Sequence, residues 1–258
     1  MKRFITNKYV LTILGCLLFL GIWIAISLII DERTMIFPDP LKTFVEAGKI
    51  LSTEYVYKCI GWTMLRMLIG FSASFIMAMV FGVLAGHYKS FKTVLNPMII
   101  ALKSIPTAAL VFLFLVLVGA RNAPIFIVVL ISFPILYESI SSGIYNTPPE
   151  LIEAARVDGS KFTETAFKVR LPLAIPYVLV GIASSFALSF KIEIMAEIIT
   201  GDTRNGLGSA ISAAQKNDPT NMVPIFAYSL IAIVFILLIT ILEDVITKLV
   251  KKKINYLP

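Results

Sequence analysis

Six stretches of this 258-residue chain are too long and too uniformly apolar to be packed inside a soluble domain of its size. They run Tyr9–Ile30, Ile60–Gly86, Val94–Val118, Pro124–Ile140, Leu173–Ile199 and Met222–Ile246, the fourth being the shortest. A helix needs about 20 apolar residues to cross the hydrocarbon core of a bilayer. An unpaired backbone N–H or C=O in lipid costs several kcal/mol, so such segments must be helical. Strands of a membrane barrel would be short and alternating, which these are not. Composition agrees: 58% of residues are hydrophobic and 15% charged, against about 45–50% and about 25% in soluble domains. The expected fold is all-α, a single membrane domain over residues 1–258 with six transmembrane helices and no sizeable soluble appendage.

The N-terminus begins basic (Lys2, Arg3, Lys8) and turns apolar, as a signal peptide does. Its apolar run is 22 residues, whereas signal cores span about 7–15. It ends at Ile29-Ile30-Asp31-Glu32 without a small-residue cleavage site. A retained first span is expected.

Lys and Arg set orientation. With the N-terminus on the cytoplasmic side, 13 of the 23 basic residues fall in cytoplasmic segments and 7 in external ones. The first external loop also carries five acids beside its four bases. Both termini are therefore expected in the cytoplasm. The net charge of +7 sits beside apolar segments, the pattern of membrane orientation rather than of nucleic-acid binding. The longest cytoplasmic loop is 141–172. No long segment faces outward, so capture of a dilute external solute would need another protein.

Within that loop, Pro148 and Pro149 suit a helix start, and Glu150 and Glu153 lie near the positive end of its dipole. Ala154 and Ala155 favour helix with little bulk. Gly159 suits the left-handed residue that ends a helix. Ser160 could cap a second short helix whose first turn holds Thr163 and Glu164. Pro172 would begin the fifth span. Two short helices with a glycine corner are expected, either an ordinary solvated loop or a small-faced helix that slots into a groove of a partner.

The spacing Glu153-Ala154-Ala155, then Gly159 at the seventh position, Val169 at the seventeenth and Leu171-Pro172 at the nineteenth and twentieth resembles the EAA motif of the membrane subunits of type I ABC importers. Val169 stands where isoleucine is common. Phe37-Pro38-Asp39-Pro40, Leu65-Arg66 with Gly70-Phe71, Ser104-Ile105-Pro106-Thr107-Ala108-Ala109-Leu110, and Ala196-Glu197-Ile198-Ile199 through Gly206-Leu207-Gly208 are similar to pieces of the nitrate/sulfonate/taurine branch of that family, in the same order. The resemblance implies a six-helix permease core and a coupling helix docking on a separate ATPase. It implies that Glu153 contacts the ATPase, that Ala154 and Ala155 allow close approach, and that Gly159 forms the corner. Arg156 and Asp158 are rim candidates by position. Two ATPase copies, a second copy of this chain, an extracytoplasmic substrate-binding protein and a bacterial inner-membrane location are implied as well. The chain lacks a G-x-x-x-x-G-K-[ST] phosphate loop, so ATP and Mg would belong to the partner and this chain would not be an enzyme. The branch carries small, often anionic solutes.

Charges inside spans are costly and mark function. Lys103 lies roughly 14 Å into the third span at 1.5 Å per residue. Beside Ser104 and Pro106, it either faces an anionic solute or snorkels to the surface. Lys191, Glu193 and Glu197 cluster late in the fifth span. The two glutamates share a face and are candidates for an outer vestibule, a neighbouring subunit or an interfacial rim. Gly201, Gly206 and Gly208 make the next loop permissive, as a gate or docking surface for the binding protein requires.

His87, the only histidine, is a poor metal site, and no metal is expected. Cys16 and Cys59 fit no metal spacing and should be free thiols. A standalone secondary transporter or channel is the alternative reading, but it would favour an inverted repeat, and none is evident. An intramembrane enzyme lacks the required constellation.

Overall fold

The computed structural model describes residues 8–30, 37–161, 164–201 and 205–254. The helices are α1 (Lys8–Ile29), α2 (Pro40–Leu51), α3 (Glu54–His87), α4 (Lys89–Ser104), α5 (Thr107–Val118), α6 (Ala123–Tyr145) and α7 (Pro149–Val157). A π-helical turn over Thr165–Arg170 then runs into α8 (Leu171–Thr200), followed by α9 (Leu207–Asn217) and α10 (Val223–Ile254). Among the described residues, α1, α3, α6, α8 with its leading turn, and α10 are long and apolar enough to cross a membrane, and the α4–α5 pair makes six if counted as one span.

The third expected span is not one straight helix. α4 and α5 meet at 96°. The cause is Pro106, which disfavours the helical region for the residue before it. Ile105 is extended (φ −70°, ψ 127°) and Pro106 likewise (φ −58°, ψ 126°). α3 begins earlier than the apolar run, at Glu54, where the acid suits the helix start and pairs with Lys58 at 2.9 Å.

α2 has no counterpart among the expected elements. Asp39 accepts from the Leu41 N–H at 3.0 Å and Pro40 occupies the first turn, a cap followed by proline that was legible in the sequence. It buries Pro40, Thr43, Ala47 and Ile50 and packs on α10. α1 is almost wholly exposed. Trp23 ties it down, its Nε1–H donating to Pro38 O at 3.0 Å and its ring meeting Phe44 and Phe226.

The core is α6 clasped between α3 and α8. Apolar side chains gain little from leaving lipid for protein, so close helix approach rests on small residues. α3 presents Gly70, Ser74, Ala78, Gly82 and Gly86 every fourth residue, one face of a helix. A Cβ at Gly82 would lie 3.0 Å from Ile140 Cβ, and one at Gly86 2.6 Å from Ile144 Cβ. On the other side, a Cβ at Gly143 of α6 would lie 2.8 Å from Tyr177 Cβ, and one at Gly181 of α8 2.6 Å from Ser139 Cβ. Ser132 and Ser189 share a 2.7 Å hydrogen bond across the same seam. Gly86→Val should force α3 and α6 apart at a cost of about 1–3 kcal/mol, read as a lower thermal midpoint in detergent. An unchanged midpoint would mean the helices do not pack this closely.

Candidate functional site

α7 is a short helix defined by its ends. Pro149 opens it, Glu150 occupies its first turn and no residue of it is buried. The corner is a complete Schellman arrangement. Gly159 takes φ +78°, its N–H donates to Arg156 O at 3.0 Å, and the Ser160 N–H donates to Ala155 O at 3.0 Å. Glu153, Ala154, Arg156 and Asp158 are exposed and Ala155 is half-buried. A nine-residue helix is marginal alone in water, so α7 relies on these ends and on its contact with the π-helical turn.

The expected second short helix is not separate, because Thr165–Arg170 continues into α8. Pro172 has no N–H, so the helix widens ahead of it. The Leu171 N–H reaches five residues back to Ala166 O. Leu171 and Pro172 thus form the first turn of α8. Ser160 does not cap the segment. Instead the Glu164 carboxylate accepts from the Lys161 N–H at 3.1 Å and pairs with Lys168 at 3.2 Å, contacts that hold its carboxyl below the usual range. Thr163 lies outside the described residues.

The charges of the fifth span separate. Lys191 is exposed on α8 and borders the groove toward α10. Glu193 and Glu197 are 0% and 1% exposed, inside the protomer rather than on an open vestibule. Residues two apart on a helix point to different faces, which accounts for the split. Glu197 is the centre of a network. Arg66 Nη1 donates to it at 2.9 Å and to Asn205 O at 2.8 Å. Thr63 Oγ1 donates to it at 2.9 Å and accepts from the Leu207 N–H at 2.8 Å. The Gly208 N–H donates to Glu197 at 2.9 Å. Glu197 and Thr63, from two other helices, therefore cap α9. Gly206 has the room this needs, since a Cβ there would lie 2.6 Å from the Glu197 carboxyl carbon. Gly208 packs against Ile194 O of α8. Gly201 ends α8 in the left-handed region, φ +64°.

Lys103 is neither free nor solvated alone. Its Nζ lies 2.9 Å from both carboxylate oxygens of Glu138 on α6, and each side chain is 48% exposed. Ser104, whose Oγ donates to Ile100 O at 2.8 Å, and Pro106 lie beside it at the α4–α5 break, both exposed. A half-exposed ion pair is costly against lipid, so any part of this face that lies within a bilayer needs water or protein over it. Glu138 and Thr63 were not singled out by sequence reasoning, and Arg66 entered only as part of the Leu65-Arg66 resemblance. Glu138 carried a signal, an acid within an apolar run. Cys16 and Cys59 are free.

Residues 78–256 match the family model of the binding-protein-dependent transport system inner membrane component. The chain belongs to this family. It is an ABC importer permease of the type I fold, as the resemblance of the EAA segment implied. The chain is similar to a probable ABC transporter permease protein of Brucella melitensis, 28% identical over 182 residues, 70% of this chain and 73% of the relative. A Bacillus subtilis permease named for aliphatic sulfonates transport is 25% identical over 205 residues, 79% and 74% of the two chains. The fold of the permease also matches a solved inward-facing methionine ABC transporter, with a TM-score of 0.65 at 20% identity over 76% of this chain and 96% of that one.

Proposed function

We propose that this permease forms the translocation path for a small solute handed over by an extracytoplasmic binding protein, and that α7 is the coupling helix on which a separate ATPase docks. The observation that carries this is α7 itself: Glu153, Ala154 and Ala155 on a helix with no buried residue, held at a rigid glycine corner. A helix with this small, unburied face is of the kind that lies in a groove of a partner. ATP and Mg belong to the motor. The assembly has two ATPases, two copies of this chain and one binding protein.

Positive-inside counting supports α7 and both termini in the cytoplasm of a bacterial cell and α9 at the outer face. The loop around Gly201, Gly206 and Gly208 is there for the binding protein to dock on. The Lys103–Glu138 pair, with Ser104 and Pro106 beside it, faces the path between the two copies. Closure of the motors moves α7, the π-helical turn carries that movement into α8, and the path alternates between outward and inward access.

Tagged chain purified from its native membrane in mild detergent should bring down an ABC-type ATPase, and Glu153→Ala should reduce its recovery while the chain still inserts. Chain that purifies alone, and moves solute in liposomes without ATP, would instead be a standalone transporter.

A further inference from the structure

Behind α7 lies a cavity of about 130 Å³ lined by His87, Arg156, Ser160, Thr165 and Arg170, with Ile152 and Ala166 as its apolar wall. Two arginines, a histidine and two hydroxyl residues line it, the Thr165 hydroxyl donating to Lys161 O at 3.2 Å, and among the described residues no Asp or Glu does. Arg156 and Arg170 line the same small cavity. Among the described residues neither forms an ion pair or a side-chain hydrogen bond. Two like charges held together without a counter-charge are unfavourable, and an anion between them removes that cost. Arginine is suited to this, because its planar fork meets phosphate oxygens two at a time.

Position narrows the ligand. His87 ends α3 and Arg170 immediately precedes α8, so the cavity sits where two apolar helices meet solvent. Exposed Leu84 and Leu173 lie next to it in sequence. A basic pocket between helix ends at this level suits a phosphate group. A tetrahedral oxyanion needs on the order of 60 Å³, twice the roughly 30 Å³ share of a water, which the cavity offers. The cavity meets the surface assigned to the ATPase only at its rim, at Arg156. At 100° per residue, Ile152 and Arg156 point one way from α7, while Ala154 and the 87% exposed Val157 point the other.

We propose that this cavity is a phosphate-binding site that ties the coupling helix, through Arg156, to the entrance of α8, through Arg170. The ligand is a phosphate oxyanion, from a lipid headgroup or free in the cytoplasm. Bridging the two arginines braces α7 against the span it is meant to move. The site does not depend on the ATPase reading, since it is tested on the chain without a motor.

The test is the thermal unfolding midpoint of the purified, delipidated chain in dodecyl maltoside micelles, which carry no phosphate. One arm adds sodium phosphate at constant ionic strength, and the other adds phosphatidylglycerol to the micelles. A rise in the first arm identifies free phosphate as the ligand; a rise in the second arm alone identifies the lipid headgroup. In either case Arg156→Gln, and separately Arg170→Gln, should weaken the half-effect concentration at least about tenfold, since a charge-assisted hydrogen bond of about 1.5–3 kcal/mol is lost. Lys248→Gln, an equal charge change on α10 remote from the cavity, should leave it unaltered. Arg156 is exposed on a short helix, so its variant tests the site even if Arg170→Gln folds poorly. No rise in either arm, or a rise equally lost in Lys248→Gln, overturns the proposal.

Discussion

Glu197→Leu should destabilise the protein by about 3–5 kcal/mol, the usual result of removing one partner from a buried ion pair. Arg66, whose side chain is 10% exposed, would keep Asn205 O as its only acceptor among the described residues. The Gly208 N–H would lose its acceptor and Thr63 its hydrogen-bond acceptor. Because these groups join α3, α8 and the start of α9, α9 should loosen first, seen as faster amide exchange over Leu207–Asn217. Glu197→Gln keeps the shape and the acceptor oxygen and should cost less. Replacing both partners, Arg66→Met with Glu197→Leu, should recover much of the loss, since an apolar pair leaves no uncompensated charge. A double variant no better than Glu197→Leu would mean that the capping of α9, rather than the ion pair, dominates.

Gly159→Pro should abolish coupling while the chain still inserts. Proline holds φ near −65°, whereas Gly159 takes +78°, and proline also lacks the N–H that donates to Arg156 O. Losing the corner and refitting the turn costs about 2–3 kcal/mol, which lowers the population of correctly presented α7 roughly 30- to 150-fold. ATP-driven uptake should fall by a comparable factor in membranes holding a normal amount of the subunit. Gly159→Asn is the control, because asparagine tolerates the left-handed region and should retain most of the activity. Equal loss in both variants would point to the side chain rather than the backbone angle.

Much of this architecture is legible in the sequence, because a membrane leaves an apolar run few choices. The long helices fall where uninterrupted apolar runs lie, with ends displaced by a few residues where a charged turn such as Glu54–Lys58 extends a helix beyond its hydrophobic stretch. The third span broke because proline acts on the residue before it, so that Pro106 makes a 96° corner. The α7 segment was readable because its proline start and glycine stop are local signals. The network around Glu197 was not. Thr63 and Arg66 lie more than 130 residues from Glu197 in sequence, and nothing in a single sequence says which helices meet. The same limit hid the Lys103–Glu138 pair. It also hid the role of Gly70, Ser74, Ala78, Gly82 and Gly86, although their four-residue spacing was in plain view.

The central claim is that α7 is the surface on which a motor acts, and cross-linking tests it most directly. Ala154→Cys, in a chain whose Cys16 and Cys59 are replaced by serine and alanine, would be treated in native membranes with a short thiol-reactive photo-cross-linker. The expected product is an adduct whose partner is an ABC-type ATPase, strong from Ala154 and weak from a cysteine placed at Lys216 on α9. Adducts from Ala154 that contain no ATPase, in membranes where transport is active, would contradict it.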